Sequence, residues 1–244
     1  MALIRMNHLS RAKGHQTELT VILPTMTMDE IHTDATVEVP GMKFQTLWLL
    51  HGGGGDNTDF VNYSGIVRYA EKHRLAVVMP SGECFYGKDY AYITEELPYS
   101  LRCLFPLSDK REDNFICGLS HGGDAAMKAA MEHPERYVAA VIMSAAGTDH
   151  KGPVEQAALR FDIWGAAQKM LAAAAPQPEL IFATGTGDRG FAYYTPIIDR
   201  LDGMGVKVNR QFVDGDGHSW EFWDNTIRRA IEEWLPIRHD ILRP

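Results

Sequence analysis

The segment from Gly118 to Gly122 reads G-L-S-H-G and contains the residue types that a nucleophilic serine requires. It follows an apolar run at 114–117 and precedes an alanine-rich stretch with the composition of a helix. Between a strand and a helix, G-x-S-x-G is typical of a nucleophile elbow, whose sharp turn exposes the serine hydroxyl. The two glycines leave room for a neighbouring backbone to pass. The pattern therefore predicts that Ser120 is a catalytic nucleophile rather than a loop serine.

A histidine late in the chain is expected to activate Ser120. A serine hydroxyl is a weak nucleophile at neutral pH and needs a base, which a carboxylate must orient. The elbow context predicts the chain order serine, carboxylate, histidine. His218 lies in a glycine-rich loop after an apolar run, whereas His239 lies in the charged C-terminal tail. We therefore expect His218 to be the general base, with a helix-capping surface role as the alternative.

The orienting carboxylate is expected at the end of another strand. Asp188 follows the apolar run at 179–184, which immediately precedes the histidine strand along the chain. Asp149, after the preceding strand, is the alternative, and Asp216 is too close to His218 along the chain. Because the carboxyl ends of parallel strands meet at one edge of a sheet, Asp188 is the better candidate.

A second glycine-rich segment, His51 to Asp56, also follows an apolar run. Acyl transfer needs two backbone N–H groups directed at the tetrahedral oxyanion. The elbow predicts one from His121, directly after the nucleophile, and one from this loop, most simply from Gly53. A glycine turn without a catalytic role is the alternative. No carboxylate or histidine stands at ligand spacing from His51, so we expect no metal site and no cofactor.

The segment from Gly185 to Gly190 also matches G-x-G-x-x-G, the dinucleotide fingerprint. Too few residues follow Gly190 for a complete two-half nucleotide domain, and this hypothesis leaves Ser120 and His218 unexplained. No G-x-x-x-x-G-K-[ST] loop occurs either. The sequence therefore favours serine chemistry over nucleotide binding.

Apolar runs alternate with helical patterns along most of the chain. This alternation predicts crossover connections and a mainly parallel sheet of eight strands with helices on both faces, in a single domain spanning 1–244. The first two runs have no helix between them and predict an antiparallel hairpin at one edge. The predicted strands are 17–23, 35–39, 46–50, 75–79, 114–117, 138–144, 179–184 and 206–213. The predicted helices are 59–73, 92–104, 122–133, 162–175, 193–201 and 219–235.

The last predicted helix carries a stripe of large apolar side chains at spacings of three and four. Its members are Trp220, Trp223, Ile227, Ile231 and Trp234. Such spacing places them on one helical face. A stripe of tryptophans could line a ligand site, but packing of this face against the sheet is the simpler interpretation.

Composition excludes several partners. The chain of 244 residues has 24 Lys+Arg and 32 Asp+Glu, giving a formal net charge of −8. No Lys/Arg cluster occurs, so we expect no nucleic-acid partner and no membrane surface. Three scattered cysteines give no disulfide framework, and the longest apolar stretch, at 137–147, is shorter than the roughly 18 residues of a membrane span. These features, without a signal-peptide pattern at the start, indicate a cytoplasmic protein; they do not indicate an oligomeric state.

The motifs together resemble the esterase D branch of the α/β-hydrolases, specifically its tributyrin-esterase-like members. The resemblance rests on seven segments in order: TVILP at 20–24, LLHG at 49–52, AVVMP at 76–80, EELP at 95–98, FPLS at 105–108, GLSHGG at 118–123 and GHSWEFW at 217–223. It implies that Ser120, Asp188 and His218 match the family's catalytic triad, and that Gly53 and His121 match its oxyanion hole. The family usually has Met where this chain has His121, and an aromatic or small residue where it has Asp124.

The resemblance implies a serine carboxylic-ester hydrolase that acts on small-molecule esters through an acyl-enzyme. The loop at 147–161 is short, so we expect no large lid and a preference for short acyl chains. Alternatives with the same triad are an S-formylglutathione-type thioesterase, a feruloyl or acetyl-carbohydrate esterase, and an acyltransferase. A non-catalytic binding module of this shape would lack a triad member, and this sequence lacks none.

Overall fold

Eight strands form the centre of the molecule in a computed structural model that describes residues 1–33, 39–83, 85–145, 161–215 and 217–238. The strands are β1 (Ala2–Leu9), β2 (Gln16–Leu23), β3 (Thr46–Leu50), β4 (Ala76–Pro80), β5 (Asn114–Leu119), β6 (Ala139–Met143), β7 (Glu179–Gly185) and β8 (Val208–Val213). They form one sheet in the order β1-β2-β4-β3-β5-β6-β7-β8. β2 is antiparallel to both of its neighbours, and the pairs from β4 to β8 are all parallel. The predicted mainly parallel α/β sheet is thus confirmed.

Helices connect most of the parallel strands. They are α1 (Asp59–Tyr63), α2 (Ile66–Lys72), α3 (Lys88–Ala91), α4 (Leu97–Leu104), α5 (His121–Glu132), α6 (Ile163–Ala172), α7 (Phe191–Gly203) and α8 (Trp220–Arg229). π-Helical turns join α3 to α4 (Tyr92–Glu96) and extend α8 (Ala230–Trp234), and a 3-10 turn (Arg111–Asp113) precedes β5. The single helix predicted at 59–73 is two helices, because Ser64 adopts an extended conformation between them.

The predicted edge hairpin exists, but its strands differ from the prediction. β1, which the sequence analysis missed, pairs antiparallel with β2. Along β1, half-buried and exposed residues alternate, and the polar residues Arg5 and Asn7 interrupt the apolar pattern. Edge strands with only one packed face give this weak signal. The strand predicted at 35–39 falls outside the described residues except for Val39, which belongs to no strand.

The core lies on both faces of the sheet. Leu47 and Leu49 of β3 pack into one apolar cluster, and Trp48 and Leu50 of the same strand pack into the other. Four alanines of α5 are fully buried: Ala125, Ala126, Ala129 and Ala130. Such small side chains let α5 approach the sheet closely, which fixes the position of the turn that precedes it. No helix in the described part of the chain is long and apolar enough to cross a membrane.

Candidate active site

The turn between β5 and α5 holds Ser120 in a strained backbone conformation, with φ 52° and ψ −119°. Its N–H donates to the carbonyl of Met143 at 2.9 Å. Both motif glycines are sterically required. A Cβ on Gly118 would lie 2.1 Å from the carbonyl oxygen of Gly122, and one on Gly122 would lie 2.3 Å from the carbonyl oxygen of His51. The spacing G-x-S-x-G therefore reflects two close backbone contacts, one of them with the neighbouring glycine loop.

The loop after β3 is held in place by the imidazole of His51. Its Nδ1 lies 2.7 Å from the carbonyl of Gly52, and the N–H of Gly82 donates to its Nε2 at 3.2 Å. Because Nε2 accepts this hydrogen bond, the ring is neutral and carries its hydrogen on Nδ1. Burial lowers the pKa of His51, which favours the same neutral form. The ring also packs against Phe85, with centroids 4.7 Å apart. His51 thus joins the loops that follow β3 and β4.

The two residues expected to form the oxyanion hole lie side by side. A Cβ on Gly53 would come within 2.4 Å of Nδ1 of His121, so the loop backbone packs directly against that ring. The N–H of His121 belongs to the first turn of α5, where backbone donors have no acceptor within the helix. The helix dipole also favours negative charge at this end. These backbone groups are suited to bind an anionic oxygen.

The proposed acid and base are hydrogen-bonded to each other. Nδ1 of His218 lies 3.0 Å from Oδ2 of Asp188, and the N–H of Gly190 donates to Oδ1 at 2.7 Å. The Asp188 residue is only 6% exposed. Burial alone would raise the pKa of this carboxyl, but the hydrogen bonds from His218 and Gly190 outweigh it and hold the pKa below its ordinary value. Asp188 is therefore a carboxylate that can orient His218 and stabilise its protonated form.

The glycines of the segment that resembles a dinucleotide fingerprint bring two loops together. The N–H of Gly187 donates to the carbonyl of Gly215 at 2.7 Å. A Cβ on Gly217 would lie 2.2 Å from the backbone nitrogen of Gly185. These contacts place Asp188 beside His218. Three residues weighed from the sequence, Asp149, Asp216 and His239, lie outside the described residues.

Ser120, His121 and His218 line one open cavity of about 650 Å³. The other lining residues are Gly52, Gly53, Gly54, Gly55, Asp59, Tyr63, Leu119, Arg189, Trp220 and Trp223. The serine of the elbow, the histidine that follows it and the histidine expected to be the base therefore share one space.

An aromatic wall forms one side of this cavity. The ring of Tyr63, a residue that is 58% exposed, lies 5.0 Å from that of Trp220. Trp220 lies 5.3 Å from Trp223, which in turn lies 5.2 Å from His218, measured between ring centroids. The predicted packing of the α8 stripe is confirmed for Trp223 and Ile227, which are buried against the sheet. The alternative weighed from the sequence, that the tryptophans line a ligand site, also holds for the first turn of this stripe, because Trp220 and Trp223 line the cavity.

Two charged side chains line the cavity, Asp59 and Arg189. Burial raises the pKa of Asp59. Arg189 is exposed and makes no ion pair or hydrogen bond with the part of the chain that the structure describes. Among the described residues, no group of three or more His, Cys, Asp or Glu side chains is placed to hold a metal ion.

The sheet order and the elbow are those of an α/β-hydrolase. A family model described as "Putative esterase" matches residues 37–232, and the chain therefore belongs to this esterase family.

Individual relatives agree with this assignment. The chain is 26% identical to an acetyl esterase of Caldicellulosiruptor saccharolyticus, over 96% of this chain and 98% of the relative. Its fold matches the Staphylococcus aureus serine hydrolase FphF and the S-formylglutathione hydrolase FrmB of the same organism. Each has a TM-score of 0.77 and 33% identity, over 95% of this chain and 97% of the other. The predicted class, a serine ester hydrolase with an α/β-hydrolase fold, is confirmed.

Proposed function

We propose that Ser120, His218 and Asp188 are the catalytic triad of a single-domain esterase spanning 1–244, and that the N–H groups of Gly53 and His121 form its oxyanion hole. The observation that carries the proposal is the 3.0 Å hydrogen bond between His218 and Asp188, with His218 and Ser120 lining the same cavity. Ser120 also has the strained turn geometry that exposes a nucleophile.

In this mechanism, Nε2 of His218 takes the proton of Ser120 as the hydroxyl oxygen attacks the ester carbonyl. Negative charge develops on the carbonyl oxygen and is stabilised by the N–H groups of Gly53 and His121. His218 then gives its proton to the leaving alcohol, and an acyl-enzyme remains. Water hydrolyses the acyl-enzyme by the same steps in reverse, with His218 again as base. Asp188 remains ionised throughout and stabilises the imidazolium.

Short acyl chains are the preferred substrates in this proposal, as for a tributyrin-type esterase. Leu119 is the single aliphatic side chain among the described lining residues, the rest being glycine, aromatic or polar. A site for long acyl chains would need a continuous apolar surface, because affinity for a chain grows with each methylene that is buried. The relative described as an acetyl esterase supports the same preference.

A second candidate function is hydrolysis of thioesters of an anionic peptide thiol, as in S-formylglutathione. The specific observation is Arg189, an exposed guanidinium at the cavity without an ion-pair partner among the described residues. Arginine binds carboxylates with two parallel hydrogen bonds, and glutathione carries two carboxylates. The 33% identical S-formylglutathione hydrolase supports this candidate. Hydrolysis of feruloyl esters, hydrolysis of acetylated carbohydrates and acyl transfer to an acceptor other than water would use the same triad. They remain the alternative reactions.

The acidic composition and few cysteines support a cytoplasmic location.

The test is a substrate panel measured with the wild type and with Ser120→Ala. The panel contains p-nitrophenyl acetate, butyrate and octanoate, methyl ferulate, an acetylated xylose and S-formylglutathione. We expect kcat/KM to be highest for acetyl or butyryl esters and to fall at eight carbons. Ser120→Ala should lose about 10⁶-fold in kcat, as in the serine-protease example, and should remain folded. Turnover near the wild-type rate in this variant contradicts the mechanism.

A further inference from the structure

Ser144 lies directly after β6, the strand between the one that leads to Ser120 and the one that leads to Asp188. The residue is 1% exposed, and its N–H donates to the carbonyl of Ala183 on β7 at 2.8 Å. Its φ is 42°, a conformation that residues other than glycine rarely adopt. A small polar residue is thus held in a strained conformation beneath the proposed active site.

The hydroxyl of Ser144 connects three parts of that site. It donates to the carbonyl of Gly217, the residue before His218, and it accepts a hydrogen bond from Nε1 of Trp223 at 3.2 Å. Interaction with this hydroxyl also helps to hold the pKa of the Asp188 carboxyl below its ordinary value. A serine hydroxyl has one hydrogen to donate, which goes to the carbonyl of Gly217, while a lone pair accepts from the indole.

We propose that Ser144 is a positioning residue that fixes the Asp188–His218 pair relative to Ser120. The inference rests on the proposed triad and adds a residue that the motifs do not include. The hydroxyl binds the backbone immediately before the base and lowers the pKa of the acid. Through Trp223 it also contacts the helix whose aromatic side chains face the cavity. None of these contacts involves the reacting atoms, so the effect of Ser144 on the reaction is indirect.

The protein contains a matched buried pair away from the site. Ser108 is 3% exposed and its hydroxyl donates to Oδ2 of Asp113 at 2.6 Å. Removing this hydroxyl deletes the same chemical interaction, a buried serine–carboxylate hydrogen bond, without altering the cavity. Ser108→Ala therefore measures what a merely structural loss of this kind does to stability and turnover.

Ser144→Ala keeps the β-carbon and removes the hydroxyl. We expect kcat for p-nitrophenyl acetate to fall about 10²-fold, the effect of a displacement of about 1 Å in a catalytic group. We expect KM to change by less than about twofold, because Ser144 itself does not line the cavity. Ser108→Ala should leave both constants close to those of the wild type.

The pH profile separates positioning from a general structural effect. Without the Ser144 hydroxyl, which lowers its pKa, the carboxylate of Asp188 is more basic and stabilises the imidazolium of His218 more strongly. The acid limb of kcat/KM, which reports the base in the free enzyme, should therefore move to higher pH in Ser144→Ala. The other titratable side chains lining the described cavity are Asp59, Tyr63, His121 and Arg189, and this substitution changes none of them. Ser108→Ala should not move the limb.

Ser144→Gly is the second variant, because glycine adopts a positive φ without strain and this variant folds even if the alanine variant does not. We expect it to show the same fall in kcat and the same shift of the acid limb. The proposal is overturned if either folded Ser144 variant retains the kcat and pH profile of the wild type, or if Ser108→Ala loses as much activity. Failure of the triad itself would instead appear as turnover that survives Ser120→Ala.

Discussion

The two halves of the active site are held together in different ways. Around Ser120, Gly118 and Gly122 lie where a Cβ would collide with neighbouring backbone, and Gly53 lies where a Cβ would collide with the ring of His121. Around His218, one such contact, between Gly217 and Gly185, is combined with side-chain hydrogen bonds in which Asp188 and Ser144 take part. The nucleophile half is therefore fixed chiefly by the absence of side chains, whereas the acid–base half also needs particular polar ones.

This difference has a physical consequence for mutants. A Cβ added at Gly118 or Gly122 meets backbone, which cannot move away without unfolding its strand or helix. A polar atom removed from the acid–base half leaves the packing intact and changes orientation and charge. The first kind of change should act mainly on stability, and the second mainly on turnover.

After the loss of Ser120 itself, the largest effect on turnover should come from Asp188→Asn. The amide keeps the shape of the side chain but favours the wrong tautomer of His218 and does not stabilise the imidazolium, which costs about 10⁴ in kcat in the serine-protease example. Steady-state assays with p-nitrophenyl acetate measure this. Asp149→Asn is the control and should change kcat only modestly. If Asp149→Asn is instead the inactive variant, the acid is wrongly assigned and the comparison of the two halves fails.

Gly122→Ala tests the nucleophile half. The added Cβ would lie 2.3 Å from the carbonyl oxygen of His51 and 2.5 Å from that of Leu50. We expect the free energy of unfolding in urea to fall by about 3 kcal/mol, the upper end of the usual cost of overpacking. Gly203→Ala is the control, since a Cβ at this last residue of α7 meets no atom within 4 Å. It should be neutral or slightly stabilising. Equal stability of the two variants would show that the backbone contact at the elbow is not restrictive.

A smaller, pH-dependent effect should come from His51, the exception in the nucleophile half because it acts through its side chain. Its pKa is lower in the folded protein, so the unfolded chain binds a proton that the folded one resists. The contribution of neutral His51 to the free energy of unfolding is therefore complete above the ordinary histidine pKa of about 6.5. It is lost as the pH falls below that value.

His51→Gln keeps a donor and an acceptor but cannot titrate, so its unfolding free energy should change less than that of the wild type between about pH 7 and pH 5.5. Urea unfolding at both pH values measures the difference. His15→Gln, at an exposed position, should behave like the wild type. A pH dependence that is unchanged in His51→Gln would assign the loss of stability to other groups.

The contrast between the nucleophile half and the acid–base half explains which parts of the site could be predicted from the sequence. The elbow and the glycine loop are local patterns in which each residue type has a steric reason, so Ser120, Gly53 and His121 could be proposed from spacing alone. The sheet followed from the alternation of buried strands with helices. β1 was missed because it is an edge strand with one packed face.

The contacts of Ser144 could not be read in the same way. Trp223 follows it by 79 residues and Gly217 by 73, and a buried serine at the end of a strand has no characteristic pattern. The aromatic wall could not be assigned from the sequence for a different reason. The helical period that places Trp220 and Trp223 on the sheet side of α8 is the same whether the first turn meets the core or a cavity.

Backbone strain is concentrated around the active site. Among the described residues, four that are not glycine have a positive φ: Arg74, Phe85, Ser120 and Ser144. Three of them are the proposed nucleophile, the proposed positioning serine and the residue that packs against His51. Each such conformation costs about 1–3 kcal/mol. Directed evolution for heat resistance alone would therefore favour glycine at 120, where it relieves strain and removes the hydroxyl proposed as the nucleophile. A thermostabilised form of this enzyme must be selected for turnover and melting temperature together.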